Sequence, residues 1–298
     1  VHRDAAARAD GSHEPDPSEL AAADGRDPRA LQRLRAEIIG HGSVPSAPAV
    51  LLEILQLLED DDADLRRLLA AIERDPGLTA RVLRMANGSF FGQSRTVDSV
   101  ERATLVLGVS LVRSIAIGAA VFDRVGDSLP ATVIDRVWRH SLATAAIARA
   151  LAARIVPAQR DEAFTAGMLH DTGALLLLRR QPDLYRDQKP GAPIDELERV
   201  HVGVDHGVVA GWLFDAWSLP AALVDAVAQH HAAAPTEGLP AVLWAANLLA
   251  HDPDATLLAA TPGDAPRAAA VCAAAAAFGL TNDAWRELAA AALRGKGS

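Results

Sequence analysis

The chain has 298 residues, half of them apolar, and a formal net charge of −9. That apolar content excludes a disordered chain and supplies a sizeable core, and the negative balance argues against a protein held on nucleic acid by a broad basic face. Aromatic residues make up only 4% and alanine dominates the apolar set, which favours closely packed helices over sheets.

The single cysteine, Cys272 in "AAAVCAAAAAF", can form neither an internal disulfide nor a zinc knuckle, and reads as a small buried residue of a reducing compartment. The best candidate for a membrane span, "SLVRSIAIGAAVF", is short and carries Arg113, and the start of the chain lacks a signal-like apolar core. The expectation is a cytoplasmic protein with neither membrane nor nucleic-acid partner.

Residues 1–28 mix Asp, Pro, Gly, Ser and Ala without an apolar face and are expected to form a disordered tail. From Pro28 the apolar positions recur three and four apart, punctuated by Gly, Pro and Asp. "PRALQRLRAEIIGHG" predicts a short helix stopped by Gly40 and Gly42. Three more helices follow up to "RMANGSFFG", with Pro48 and Pro76 suited to first turns, Asp75 as an N-cap, and Asp60–Asp62 as a solvated turn. In "TVDSVERATLVLG" the Asp98 and Glu101 spacing predicts a capping-box variant, and Gly108 separates that helix from the next.

After a break at "GDSLP" comes a longer helix through "DRVWRHSLATAAIARALAARI". Then follow "DEAFTAGMLHDTGALLLLRR", a polar loop at 181–195, "ELERVHVGVDHGVVAGWLFDAW", and two segments opened by Leu-Pro, "LPAALVDAVAQHH" and "LPAVLWAANLLAH". Two alanine-rich helices are expected at about 265–278 and 283–293, and no strand pattern or fixed-period repeat is present. Trp138, Trp212, Trp217 and Trp244 are expected in the core, and Phe90 and Phe91 either between packed helices or as an exposed anchor for a partner.

Five histidines, His140, His170, His206, His230 and His231, fall inside or at the ends of predicted helices, and Asp171 directly follows His170. Neighbouring helical residues point about 100° apart, so the His-Asp pair serves one ion only if its helix presents an edge to the site. A further histidine would complete three protein ligands and leave positions for water. Hydrogen-bonded core histidines explain each residue singly, and nothing local ties the rings together, so the residues alone leave both readings open.

In order along the chain, "VPSAPAV", "IERDPGLTARVLRMANGSFFG", "SVERATLVLGVSLVRSIAI", "VWRHSLATAAIARALA", "AGMLHDTGALLL", "DHGVVAGWLFDAWSLP" and "AVAQHH" resemble the HDOD domains, bacterial relatives of the HD phosphohydrolases, over roughly residues 38–250. The resemblance implies an all-α fold of two helical lobes, here 29–126 and an HD-like bundle at 127–251, followed by a helical extension at 252–298. It further implies that His140, His170 and Asp171 match metal ligands of catalytic HD proteins. His206, His230 and His231 resemble histidines added in the cyclic-di-GMP phosphodiesterase branch.

Two departures bear on catalysis. Asn247 stands where catalytic relatives carry a ligand Asp, and an amide is a weaker ligand for a hard cation; Asp252 and Asp254 lie just beyond it. Ala174 stands where the phosphodiesterase branch has a lysine that would neutralise phosphate, and the chain has no Gly-Tyr-Pro triplet. The expectation is a non-catalytic signalling module that binds a signalling protein or a small ligand. His140, His170, Asp171, His206 and His230 are its candidate ligands for a divalent ion (Fe, Mn, Ni or Zn), and the alternative is a metal-dependent phosphohydrolase with a degenerate site. "LRRLLAAIER", the nearest approach to a DNA-reading helix, is better explained as a solvated amphipathic face.

Overall fold

The computed structural model describes residues 28–39, 46–57, 63–88, 96–186, 194–232 and 237–251, and these contain helices and no strand. The tail, Asp60–Asp62, the Phe90–Phe91 pair, Asp252, Asp254, Cys272 and the alanine-rich C-terminal helices lie outside them. The first lobe contains α2 (Ala49–Gln56), α3 (Ala63–Glu73), α4 (Pro76–Ala86), α5 (Val100–Leu107) and α6 (Val109–Val125). The second contains α7 (Ala131–Ile155), α8 (Arg160–Leu169), α9 (Thr172–Arg180), α10 (Ile194–His201), α11 (His206–Ala216), α12 (Ala221–Ala228) and α13 (Gly238–His251). The first element, α1 (Pro28–Ile39), packs on α11.

Local chemistry explains most of these boundaries. Asp75 accepts from the amides of Gly77 and Leu78 while Pro76 opens α4, as expected of an N-cap followed by a residue with no amide to satisfy. The cap of α5 differs by one residue from the expectation. Ser99, extended at φ −141°, accepts from the Arg102 amide, so the hydroxyl rather than the Asp98 carboxylate meets the orphan donor. Gly108, at φ +88°, joins α5 to α6 in a backbone conformation that side chains disfavour.

The apolar run that resembles a membrane segment is α6. Its residues Leu111–Phe122 are buried apart from Arg113, because the helix packs on α2, α4 and α5 of its own lobe and on α8 and α9 of the other. A helix apolar all round belongs in a core of this kind, and no helix among the described residues is long and apolar enough to cross a membrane. Phe122 meets Trp138 of α7 edge-on at 4.9 Å, and the Arg81 guanidinium lies 5.7 Å above the same indole. Trp212, Trp217 and Trp244 are buried, as expected.

Two glycines set the spacing within the second lobe. A Cβ on Gly167 would stand 2.3 Å from the Ala145 Cα, so α8 crosses α7 in backbone contact. One on Gly173 would stand 2.0 Å from the His206 carbonyl oxygen, which holds the start of α9 against the start of α11. At their far ends α9 and α11 are both tied to α1, through Arg180 to Glu37 at 2.7 Å and Asp215 to Arg35 at 2.5 Å.

Candidate metal centre

His170 and Asp171 do not share a helix. The apolar run breaks between them: His170 is the C-cap of α8, and Asp171 immediately precedes α9 without capping it. The Asp171 carboxylate is therefore turned away from its own helix, and the expected need for one helix edge to serve both ligands does not arise. A similar break divides "ELERVHVGVDHGVVAGWLFDAW". There α10 ends at His201, Gly203 adopts φ +104°, and Asp205 caps α11 through the Val208 amide, which places His206 at a helix start.

These junctions bring the candidate ligands together in two groups, His140 with His170 and Asp171, and His206 with His230 and His231; within each group the ligand atoms lie within 4.8 Å of one another. All five expected ligands are included. His231, not counted among those five, stands with its Nε2 2.9 Å from the His206 Nε2.

The Asp171 carboxylate lies between the groups. Its Oδ1 is 3.1 Å from the His170 Nε2, 3.1 Å from the His206 Nε2 and 3.9 Å from the His230 Nε2. Its Oδ2 is 3.5 Å from the His140 Nε2, which is itself 3.3 Å from the His170 Nε2. A cation at about 2.1 Å from its ligands separates neighbouring ligand atoms by about 3.0 Å in an octahedron and about 3.4 Å in a tetrahedron. The separations of 3.1–3.5 Å match these edges, and only the 3.9 Å to the His230 Nε2 exceeds them.

Ring orientation is set from outside the cluster. His170 donates Nδ1–H to the Gly167 carbonyl at 2.8 Å, and His230 donates Nδ1–H to the Val227 carbonyl at 2.7 Å; each ring thus satisfies an orphan carbonyl of the helix end it follows. His206 places its Nδ1 2.7 Å from the Glu198 carboxylate. With Nδ1 committed to an acceptor, the neutral ring carries its lone pair on Nε2, and three such lone pairs converge on Asp171. The His230 Nε2 is buried without a hydrogen-bond partner, an arrangement costly for a polar atom unless something else occupies its lone pair.

Electrostatics follow the same pattern. Burial holds the His170 and His231 imidazoles well below their ordinary range, with neighbouring histidines adding to the effect, and pushes His230 down to about 4. Burial alone would do the same to His206, but the Glu198 charge and the Asp171 carboxylate outweigh it and raise that ring well above its ordinary value. Burial would likewise raise Asp171, yet the facing histidines hold it well below the usual carboxylate range. Without a metal, His170, His230 and His231 stay neutral, and the protonated His206 ring donates Nδ1–H to Glu198 and its second proton, Nε2–H, to Asp171. A cation replaces that proton naturally, so the donor set fits a divalent transition ion.

Asn247 on α13 is buried and faces this site. Its Oδ1 is 3.2 Å from the His140 Nε2, where a carboxylate would have supplied a charged ligand. His251, one turn further, stacks against the His140 ring at 4.4 Å. Ala174 is half-buried in α9 and brings no charge. Glu198 and Tyr185 were not recognised as site residues from sequence, yet Glu198 is fully buried and accepts from the Tyr185 hydroxyl at 2.5 Å and from the His206 amide at 2.7 Å. In "DELERVH" nothing distinguishes Glu198 from its solvated acidic neighbours.

The family model of the HDOD domain matches residues 44–233. The chain belongs to the HDOD family. Solved structures share the HDOD fold. An HDOD domain protein of unknown function from Geobacter sulfurreducens is 22% identical, with a TM-score of 0.63 over 90% of this chain and 98% of that one. A candidate phosphohydrolase from Shewanella amazonensis SB2B is 22% identical, with a TM-score of 0.64 over 90% and 97%. A candidate signal transduction protein from Marinobacter aquaeolei VT8 is 22% identical, with a TM-score of 0.67 over 94% of this chain and 66% of that one. An uncharacterized protein of Treponema pallidum (strain Nichols) is 24% identical over 202 residues, and the HDOD chain spans 37% of that relative's length.

Proposed function

We propose that this HDOD protein is a non-catalytic regulatory module of bacterial, cytoplasmic signalling, in which His140, His170, Asp171, His206, His230 and His231 hold one or two ions of iron, manganese, nickel or zinc. The observation that carries this reading is the convergence of Nε2 lone pairs on Asp171, including the unpartnered, buried His230 Nε2. Nitrogen-rich ligands suit first-row transition ions better than magnesium or calcium. A bound ion would draw α7, α8, α11 and the end of α12 into one rigid body, and the output would be a surface recognised by a signalling protein or a small ligand.

Absence of turnover rests on two side chains. Asn247 offers His140 a neutral oxygen in place of a carboxylate, and Ala174 gives a phosphoester no cation to sit against. The second reading, residual phosphoester hydrolysis, is favoured by the opening at His140 and Asp171, whose side chains retain 18% and 19% exposure. In such sites a bound ion supplies a nucleophile from water at neutral pH.

Elemental analysis of untagged protein, beside the Asp171→Asn, His170→Ala double variant, tests the proposal. About one or more equivalents of transition metal, lost in the variant, is the expected result. Protein folded without stoichiometric metal would overturn it. A phosphoester screen on the loaded protein then separates the two readings, and the non-catalytic one expects no turnover above that of the double variant.

A further inference from the structure

The second group of histidines has a carboxylate behind it that the first lacks. Glu198 is 0% exposed, which for an acidic side chain demands full compensation. It receives that compensation from Tyr185 and His206. Its Oε2 accepts the His206 amide and faces the His206 Nδ1, both at 2.7 Å, and its Oε1 accepts the Tyr185 hydroxyl at 2.5 Å. Arg199, the adjacent cation, is committed elsewhere, to Asp195 and Asp205. Three donors thus fix both carboxylate oxygens, and Glu198 in turn fixes one ring.

The other ligands are held differently. His170 and His230 donate to carbonyls three residues back, and His140 faces the neutral Asn247 amide. The Asp195 carboxylate is 3.8 Å from the His231 Nδ1, beyond hydrogen-bonding distance. Only His206 among the six rests on a close charged acceptor, and an anionic partner on the far nitrogen fixes the tautomer and makes the near nitrogen a better donor.

From this geometry we infer that Glu198, oriented by Tyr185, is the positioning residue that makes the His206, His230 and His231 group the tighter of two seats for a transition ion. The inference rests on the metal-binding reading above. It assigns Tyr185 and Glu198 no contact with the ion. Their effect passes through His206: the hydroxyl sets the carboxylate, the carboxylate holds Nδ1–H, and the ring presents Nε2 toward Asp171 and His231. It also ties the turn at 181–186 and α10 to the occupancy of the seat, since both elements meet at the Tyr185–Glu198 bond.

The test is a zinc titration of chelator-stripped protein against a chromophoric competitor, for the wild type, Glu198→Gln and Tyr185→Phe. Gln keeps the shape and an acceptor for His206 but removes the charge, so the tighter step is expected to weaken by about ten- to a hundredfold, the usual effect of losing an outer partner of a ligand histidine. The weaker step should stay unchanged. Tyr185→Phe removes one oriented hydrogen bond and should weaken the same step by roughly three- to tenfold, which keeps the inference open to refutation if Glu198→Gln fails to fold. In the zinc-loaded wild type the His206 Nδ1–H proton should resonate far downfield and move upfield in Glu198→Gln, a change that a purely structural role would not produce. Equal affinities in all three proteins, with the wild type binding zinc, would overturn this inference alone. A wild type that binds no zinc would overturn the metal-binding reading and this inference with it.

Discussion

The two histidine groups meet at one carboxylate and are built from the same side chain, yet they sit in different surroundings. His140, which completes the first group, is 18% exposed and meets a neutral amide; in the second group His206, His230 and His231 are 4%, 0% and 16% exposed, and a buried glutamate stands behind His206. Ligand identity is therefore a poor guide to what each seat does. Exposure and the outer partner decide whether a site exchanges its ion and admits solvent or holds the ion as part of the fold. By these criteria exposure does not separate the two seats, and the buried glutamate behind His206 is what distinguishes the second.

The strongest way to break this comparison is to remove what the groups share. Asp171→Asn takes the only carboxylate from both, so metal content measured by elemental analysis should fall at least tenfold. Loss from one group only would show that the seats do not share Asp171. Gly173→Ala acts next most strongly. Its Cβ would collide with the His206 carbonyl, forcing the groups apart at about 3 kcal/mol, an overpacking cost at the upper end of the usual range. Denaturant unfolding of the chelator-stripped protein measures it.

Acid sharpens the contrast within the second group. His230 titrates near 4 in the folded chain and near about 6.5 when unfolded, so between those values the unfolded state binds more protons. Stability of the metal-free protein should fall with pH across that window, by on the order of 2–3 kcal/mol, and His170 and His231 act in the same direction. His206, shifted upward, behaves oppositely: its contribution is full below about 6.5 and is lost as the pH rises through its folded value. Thermal melts from pH 8 to 4 should therefore show the acid loss deepen when His206 is replaced by Gln.

The smallest effect is also the most selective. Asn247→Asp restores a charge opposite His140, and should tighten the first seat by about tenfold, the order expected of one charge-assisted ligand contact, without altering the second. A zinc titration in the Glu198→Gln background would resolve the two.

Helix existence, the buried tryptophans and the five ligands were legible because apolar spacing and the surrounding motifs carry them. The break inside "AGMLHDTGALLLL" was not. That run contains no residue between Leu169 and Thr172 that punctuates a helix, and it breaks because α9 must lie in backbone contact with α11 at Gly173, a demand that arises only in the assembled lobe. Ser99 and Asp98 were indistinguishable as caps for a plainer reason: either side chain can accept, and the local φ and ψ decide. Glu198 looked like surface because three of the first five residues of α10 are acidic, and burial alone picks out the one that matters.

His170 and His230 share a trait whose consequence reaches beyond binding strength. Each is aimed by its own helix, through a carbonyl three residues earlier, so the instruction for where Nε2 points is written within a single turn. His206 takes its instruction from a residue eight positions back, across the turn at Gly203. Two ligands are thus portable with their segments and indifferent to sequence drift elsewhere, while the third survives only as long as the α10 to α11 connection is inherited whole.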